Sequence, residues 1–317
     1  MRCYKKFILI FTLFIIILFW RMTLGEWDIP FNRAVYFLLF AQPNEINLPE
    51  YIIIREIRLP RFLSSAGAGG ILAAAGAILQ GLLSNSMAEP YTLGIASGAA
   101  FGASVGILSG EFFALTGAFF GAISALIFVF LISFNGGREK IILSGIIVNA
   151  FLSAGVTFIK SIAGEKLNGI ILWLMGSFAG SNLNTALNIW IGALIILISG
   201  LIFSSSLDAM SLGNDYAKIL GINEELTRAI LLITSSMSVA LVVSSFGIIS
   251  FVGLVIPHLA RILIGASHKN LIIYSFMLGS CLLSFADGIA QIFGELPAGV
   301  LTALTGGPFF CWLLMKK

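Results

Sequence analysis

Charge is what this sequence has least of. Asp, Glu, Lys and Arg make up 10% of its 317 residues, against about 25% in a soluble domain. Hydrophobic residues reach 58% and the mean hydropathy is +1.03. No soluble core needs so much apolar surface, so the bilayer is the solvent for most of the chain. There is no long basic run, which argues against a nucleic-acid partner. Cysteine is scarce and scattered, at Cys3, Cys281 and Cys311. Without a CxxC or a metal-ligand spacing, the three read as unpaired apolar residues.

Two catalytic signatures are also missing. A Walker loop needs Gly-Lys before Ser or Thr, so that backbone amides and the lysine can hold phosphates. No Gly here is followed by Lys. The chain cannot bind ATP that way, and active transport would draw on an ion gradient or on another subunit. No Ser/His/Asp set and no HExxH supports an intramembrane hydrolase.

What is present is a series of apolar runs. They cover roughly 7–24, 62–83, 91–108, 112–133, 141–163, 187–205, 229–250, 271–293 and 299–315, with a shorter one at 252–264 beginning around Pro257. The first follows Arg2, Lys5 and Lys6, as in a secretory leader. Its length of about 27 Å as a helix instead predicts a retained first span. Ten spans put both termini on one side. With the N-terminus inside, eleven basic residues fall on the cytoplasmic side and seven outside, together the chain's 18. The positive-inside rule therefore favours cytoplasmic termini.

Three stretches do not span. Residues 25–60 read as an external loop with interfacial pieces. "NGIILWLMGSFAGSN" (168–182) suits an interfacial or re-entrant helix. "SLDAMSLGNDYAKILGINEELTR" (206–228) is the most polar internal stretch and predicts two short cytoplasmic helices broken near Gly213 and Gly221. "AAGAILQGLLSNSMAEPYTLG" and "SSFGIISFVGLVIPHLARILIG" share a rhythm that resembles an inverted repeat starting two helices, a transporter signature.

Ionisable groups inside spans mark ion pathways. Asp287 is the one acid well inside a predicted helix. It reads either as a proton site or as a helix-packing hydrogen-bond partner. His258, after Pro257, reads as a helix-terminal hydrogen-bonding group.

Four stretches, in order, resemble the permeases of vitamin B12 and iron–siderophore ABC importers, the FecCD-type or type II importer family. They are "RLPRFLSSAGAGGILAAAGAILQGLLSNSMAEPYTLGIASGAAFGA" (58–103), "LWLMGSFAG" (172–180), "LGNDYAKILGI" (212–222) and "GIISFVGLVIPHLARILIGASHKNL" (247–271), with "ELPAGVLTALTGGPFFCWLL" (295–314) at the end. The resemblance implies an all-α membrane protein: a polytopic bundle of about ten transmembrane helices forming one permease domain over 1–317. It implies a second permease subunit, identical or homologous, around a central path. It further implies two ATP-binding subunits that carry ATP and Mg, an extracytoplasmic substrate-binding protein, and a bacterial cytoplasmic (inner) membrane location. The chain itself would hold no cofactor or metal and would not be an enzyme.

The resemblance also assigns roles. Arg58 and Arg61 of "RLPR" match arginines that face outward and pair with acids of the binding protein; Arg55 has no match. Leu212, Gly213, Asp215, Ala217, Lys218 and Gly221 match the segment that couples to the ATPases. The loop "NGGREK" falls at the inner gate, where Arg138 and Glu139 depart from the small polar residues of some relatives. Two further departures are Gln291, where "ADGIAQ" replaces a family arginine, and Ser86, where a proline is usual. The apolar, Gly-rich lining suits a bulky chelate such as a ferric siderophore, haem or cobalamin. The reading is thus an importer permease; the alternative is an ion-coupled carrier using Asp287, and a more distant one is an assembly protein without transport.

Overall fold

In lipid a backbone must satisfy its own hydrogen bonds, which leaves helices or closed barrels. The computed structural model describes residues 2–25, 27–40, 45, 48–134 and 136–315, and no strand occurs among them. The helices are α1 (Arg2–Thr23), α2 (Phe31–Leu39), α3 (Pro49–Leu82), α4 (Ile95–Ser109), α5 (Ala114–Ser133), α6 (Arg138–Ile162), α7 (Leu167–Leu174), α8 (Leu183–Ile202), α9 (Ser204–Ser211), α10 (Asn214–Ile219), α11 (Glu224–Phe246), α12 (Val252–Ile264), α13 (His268–Ile292) and α14 (Ala298–Met315). Among the described residues seven are long and apolar enough to cross a membrane: α1, α3, α5, α6, α8, α11 and α13. The apolar helices α4, α12 and α14 are shorter and bring the set to ten.

α3 is the axle. From Leu59 onward nearly every side chain is buried, and most are Gly, Ala or Ser. Small residues let helices approach closely where lipid offers no hydrophobic drive to associate. A Cβ on Gly69 would lie 2.2 Å from the Gly279 carbonyl oxygen of α13, and one on Gly76 would lie 1.8 Å from that of Gly253 in α12. The two stretches that share a rhythm therefore meet at Gly76 and Gly253. They are not both helix starts: the first closes α3, whereas the second crosses an irregular segment before α12 begins at Val252. Pro257 and His258 accordingly sit inside α12.

The segment 25–60 is more helical than a loop. Phe31–Leu39 forms α2, and the second span starts at Pro49, continuing through a π-helical turn, Ile53–Arg58, into the α-helix from Leu59. Its polar pattern hides a helix because its arginines are partnered. Arg55 donates to the Phe37 and Leu38 carbonyls at 3.0 and 2.7 Å, capping the C-terminus of α2. The 168–182 stretch holds only the short α7.

α1 and α13 run parallel, with Phe7 against Tyr274 near one end and Trp20 stacked on Phe285 near the other. α3 runs the opposite way, with Arg61 beside Asp287 and Gly81 against His268. The bundle thus has an end rich in arginine and, opposite, an end carrying α9 and α10.

Candidate functional site: two polar ends

At the first end, α1, α3 and α13 converge on Asp287, which is fully buried. Arg61 grips both of its oxygens, Nε to Oδ2 and Nη2 to Oδ1, each at 2.9 Å. This is the fork geometry that makes arginine–carboxylate pairs strong. Arg21 adds Nη2 to Oδ2 at 2.5 Å and donates its other amino group to Gln291. Arg61 Nη1 reaches Glu295 at 2.7 Å, and Glu295 is half-exposed. Two guanidiniums therefore share two carboxylates, one sealed in the bundle and one at its rim.

Arg58 stands apart from that carboxylate. It donates to the carbonyls of Met22 at 2.5 Å and Trp27 at 2.6 Å, closing the turn after α1. A Cβ on Gly25 would meet the Arg58 guanidinium at 2.8 Å, and the φ of +139° at Gly25 is one that residues with a side chain rarely adopt.

Arg58 and Arg61, expected to face outward, are each only 5% exposed and bond within the chain. The physical reason is that an unpaired guanidinium near hydrocarbon is costly, whereas internal carbonyls and carboxylates satisfy it. Arg21 and Glu295 completed this cluster without a signal in the local sequence. Gln291, one of the departures, is part of it as an acceptor for Arg21. Asp287 lies five residues before the end of α13, near a membrane face rather than mid-span.

At the opposite end, α9 and α10 form the two short helices between α8 and α11. Gly213 (φ +122°) and Gly221 (φ +72°) make the turns on either side of α10, in a region that suits glycine. Ala217 is buried and anchors α10, whereas Lys218 is exposed. Leu212, Tyr216, Ile219 and Leu220 are 70%, 48%, 82% and 56% exposed, an apolar knob on an otherwise polar element. The Asp215 side chain lies outside the described residues. The sequence placed Gly213 and Gly221 and left the knob unnoticed, because apolar residues attract no notice in so apolar a chain.

α9 is stitched to its neighbours. Asp208 Oδ1 accepts from the His268 backbone N–H at 2.9 Å and faces the ring Nδ1 at 2.6 Å. Arg138, at the start of α6, donates to Ser84 Oγ at 2.5 Å and to the Met210 carbonyl at 3.1 Å. Arg138 is thus a tie between α3, α6 and α9, while Glu139 points to solvent. The turn holding Ser86 is shaped by Ser84, at φ +48°, and by Asn85, whose side chain accepts from the Met87 N–H at 2.9 Å. Glu89 follows in the same loop, and burial pushes its carboxyl up to about 7. Beside Arg138, between residues 130–141 and 218–229, lies a cavity of about 840 Å³. Among the described residues no cluster of three His, Cys, Asp or Glu could hold a metal ion.

Comparison with known proteins gives a consistent result. The FecCD transport family matches residues 13–316. The "Probable iron chelatin transport system permease protein" of Helicobacter pylori (strain ATCC 700392 / 26695) is 35% identical, over 93% of this chain and 91% of its own. The hemin transport system permease protein HmuU of Yersinia pestis is 37% identical, over 83% of each chain. A solved ABC transporter assigned to the metal-chelate type, in an inward-facing conformation, superposes with a TM-score of 0.88 at 32% identity, covering 99% of both chains.

Proposed function

The chain belongs to the FecCD transport family, and from that premise we propose how this multi-pass permease of an ABC importer works and what it carries. The family is one of transport permeases, which are not themselves catalytic. The cargo is an iron chelate of the siderophore class or a related metal cofactor such as haem or cobalamin. The observation that carries this reading is the separation of the polar groups. The charged clusters described above lie at the two ends of the bundle, and the spans between are apolar and rich in glycine. Such a lining suits a large, weakly held ligand handed from one side to the other.

In this proposal residues 1–317 act as a single permease domain in the bacterial cytoplasmic membrane, with both termini cytoplasmic. A second permease subunit completes the path. Two ATP-binding subunits hydrolyse ATP with Mg beneath it. They are gripped by the segment of Leu212, Gly213, Asp215, Ala217, Lys218 and Gly221, whose apolar knob fits a cleft on such a partner and moves with it as a rigid body. Arg138 and Glu139 line the inner gate region. An extracytoplasmic binding protein docks over the arginine end, at Arg61 directly and at Arg58 through the turn after α1 that it holds. Its carboxylates would reach Arg61 by displacing Glu295, the half-exposed partner. The ion-coupled carrier reading loses ground, because Asp287 is held by two guanidiniums.

The test is a pull-down of the tagged chain from native membranes in mild detergent, paired with uptake of ⁵⁵Fe-labelled siderophores into vesicles. Co-purification of a Walker-containing ATPase, lost when Asp215 and Lys218 are both changed to Ala, together with ATP-dependent uptake, is the expected result. Uptake by the purified chain alone, abolished by a protonophore, would overturn it.

A further inference from the structure

Between α1, α12 and α13 lies a groove of about 540 Å³ that the transport reading does not use. Its walls are apolar, with Leu13 and Ile17 on one side and Leu259 and Leu278 on the others. Trp20 stacked on Phe285, ring centroids 5.3 Å apart, closes it toward the arginine end. Toward the other end the three helices finish in cations. Lys5 and Lys269 are exposed, and Lys6 and Arg261 are half-buried. Lys6 donates to the Leu263 carbonyl, which pins the start of α1 to the end of α12. The first turns of α1 and α13 and the last turn of α12 carry no acid. Asp208 on α9, which faces the start of α13, is occupied by His268.

The dimensions fit one molecule of the surrounding solvent. Eleven residues separate Lys6 from Ile17, about 16 Å of helix. Half of a typical hydrocarbon core is about 15 Å. An acyl chain whose headgroup sits at Lys6 would therefore end at Ile17, directly beneath the Trp20–Phe285 stack. Lysine stems reach along apolar surface while their ammonium groups stay at headgroup level, and basic groups at a bilayer surface attract anionic lipid.

We propose that this groove is a binding site for one anionic phospholipid, with an acyl chain between α1, α12 and α13 and its phosphate against Lys5 and Lys6. No step of the transport reading uses this groove, so its failure would leave that reading untouched.

The experiment uses the purified, delipidated chain and native mass spectrometry, titrated with dioleoyl phosphatidylglycerol or dioleoyl phosphatidylcholine. One phosphatidylglycerol should be retained at a concentration at least tenfold lower than phosphatidylcholine. K5Q combined with K6Q should abolish that difference, and Leu278→Phe, which fills the groove, should weaken retention of both lipids. A second readout is quenching of Trp20 fluorescence, taken as wild type minus Trp20→Phe, by mid-chain brominated lipid. It should be stronger for the anionic lipid at equal mole fraction. Equal retention of the two lipids, or a preference that survives K5Q/K6Q, would overturn the proposal. So would loss of a dimer, rather than of lipid, on Leu278→Phe, which would give the groove to a second copy of the chain.

Discussion

The two ends of this bundle handle charge in opposite ways. At one, Arg21, Arg58, Arg61 and Asp287 are each at most 5% exposed and spend their hydrogen bonds on one another or on backbone carbonyls. At the other, Lys218 and Glu139 face solvent beside the exposed apolar side chains of α10 and its flanks. Buried charge fixes helices in register, because a broken pair leaves an ion stranded in low dielectric. Exposed apolar side chains fix nothing inside the chain and instead point to something outside it. The first end is built to hold its shape, the second to be held.

The sharpest way to break that contrast is to remove the shared carboxylate. Asp287→Ala strands two guanidiniums and should cost about 3–5 kcal/mol of stability, read from unfolding in mild detergent. A change under about 1 kcal/mol would mean that the cluster is wet and its arginines are free to turn outward.

Glu89 tests whether the second end is as open as it looks. Folding raises its carboxyl from the ordinary range to about 7. The folded state therefore binds the extra proton between those values, and stability falls as pH rises through that window. Glu89→Gln should stabilise the chain by roughly 2–3 kcal/mol at pH 8 and leave it unchanged at pH 4. An equal effect at both values would place Glu89 in contact with water.

Asp208→Asn keeps an acceptor for the His268 N–H but loses the charge facing the ring, so a loss of about 1–2 kcal/mol is expected. The same measurement reads it, and no loss would detach α9 from α13. The smallest effect belongs to the knob. Leu212→Ser and Ile219→Ser should move stability by less than about 0.5 kcal/mol, yet lower ATPase co-purification. A stability loss as large as that of Asp208→Asn would make the knob part of the fold.

The helical bundle was legible because a span is a local property. Most of the apolar runs declare themselves by length, and the glycine and alanine content of 62–83 already signals close packing. The start of the second span was not legible, because "REIRLP" looks polar until Arg55, Arg58 and Arg61 are seen to find carbonyls and carboxylates elsewhere. The cluster at Asp287 joins positions far apart in the chain, and no window of sequence contains both halves. Arg21 looked like an ordinary charge at the end of an apolar run for the same reason. The coupling end was easier, since a polar stretch bracketed by Gly213 and Gly221 reads as two broken helices. Its ties through Asp208–His268 and Arg138–Met210 are again long-range.

The Arg21–Asp287 pair also sets a clock. The two residues are 266 positions apart, and a ribosome adds about 5–20 residues per second. Arg21 therefore emerges roughly 15–50 seconds before the carboxylate that will hold it, and Arg61 waits nearly as long. Through that interval two cations at the margin of the nascent bundle must rest on water, lipid phosphate or the insertion machinery. The last long span thus seals the first two, and a chain cut short before residue 287 lacks the carboxylate that both guanidiniums share.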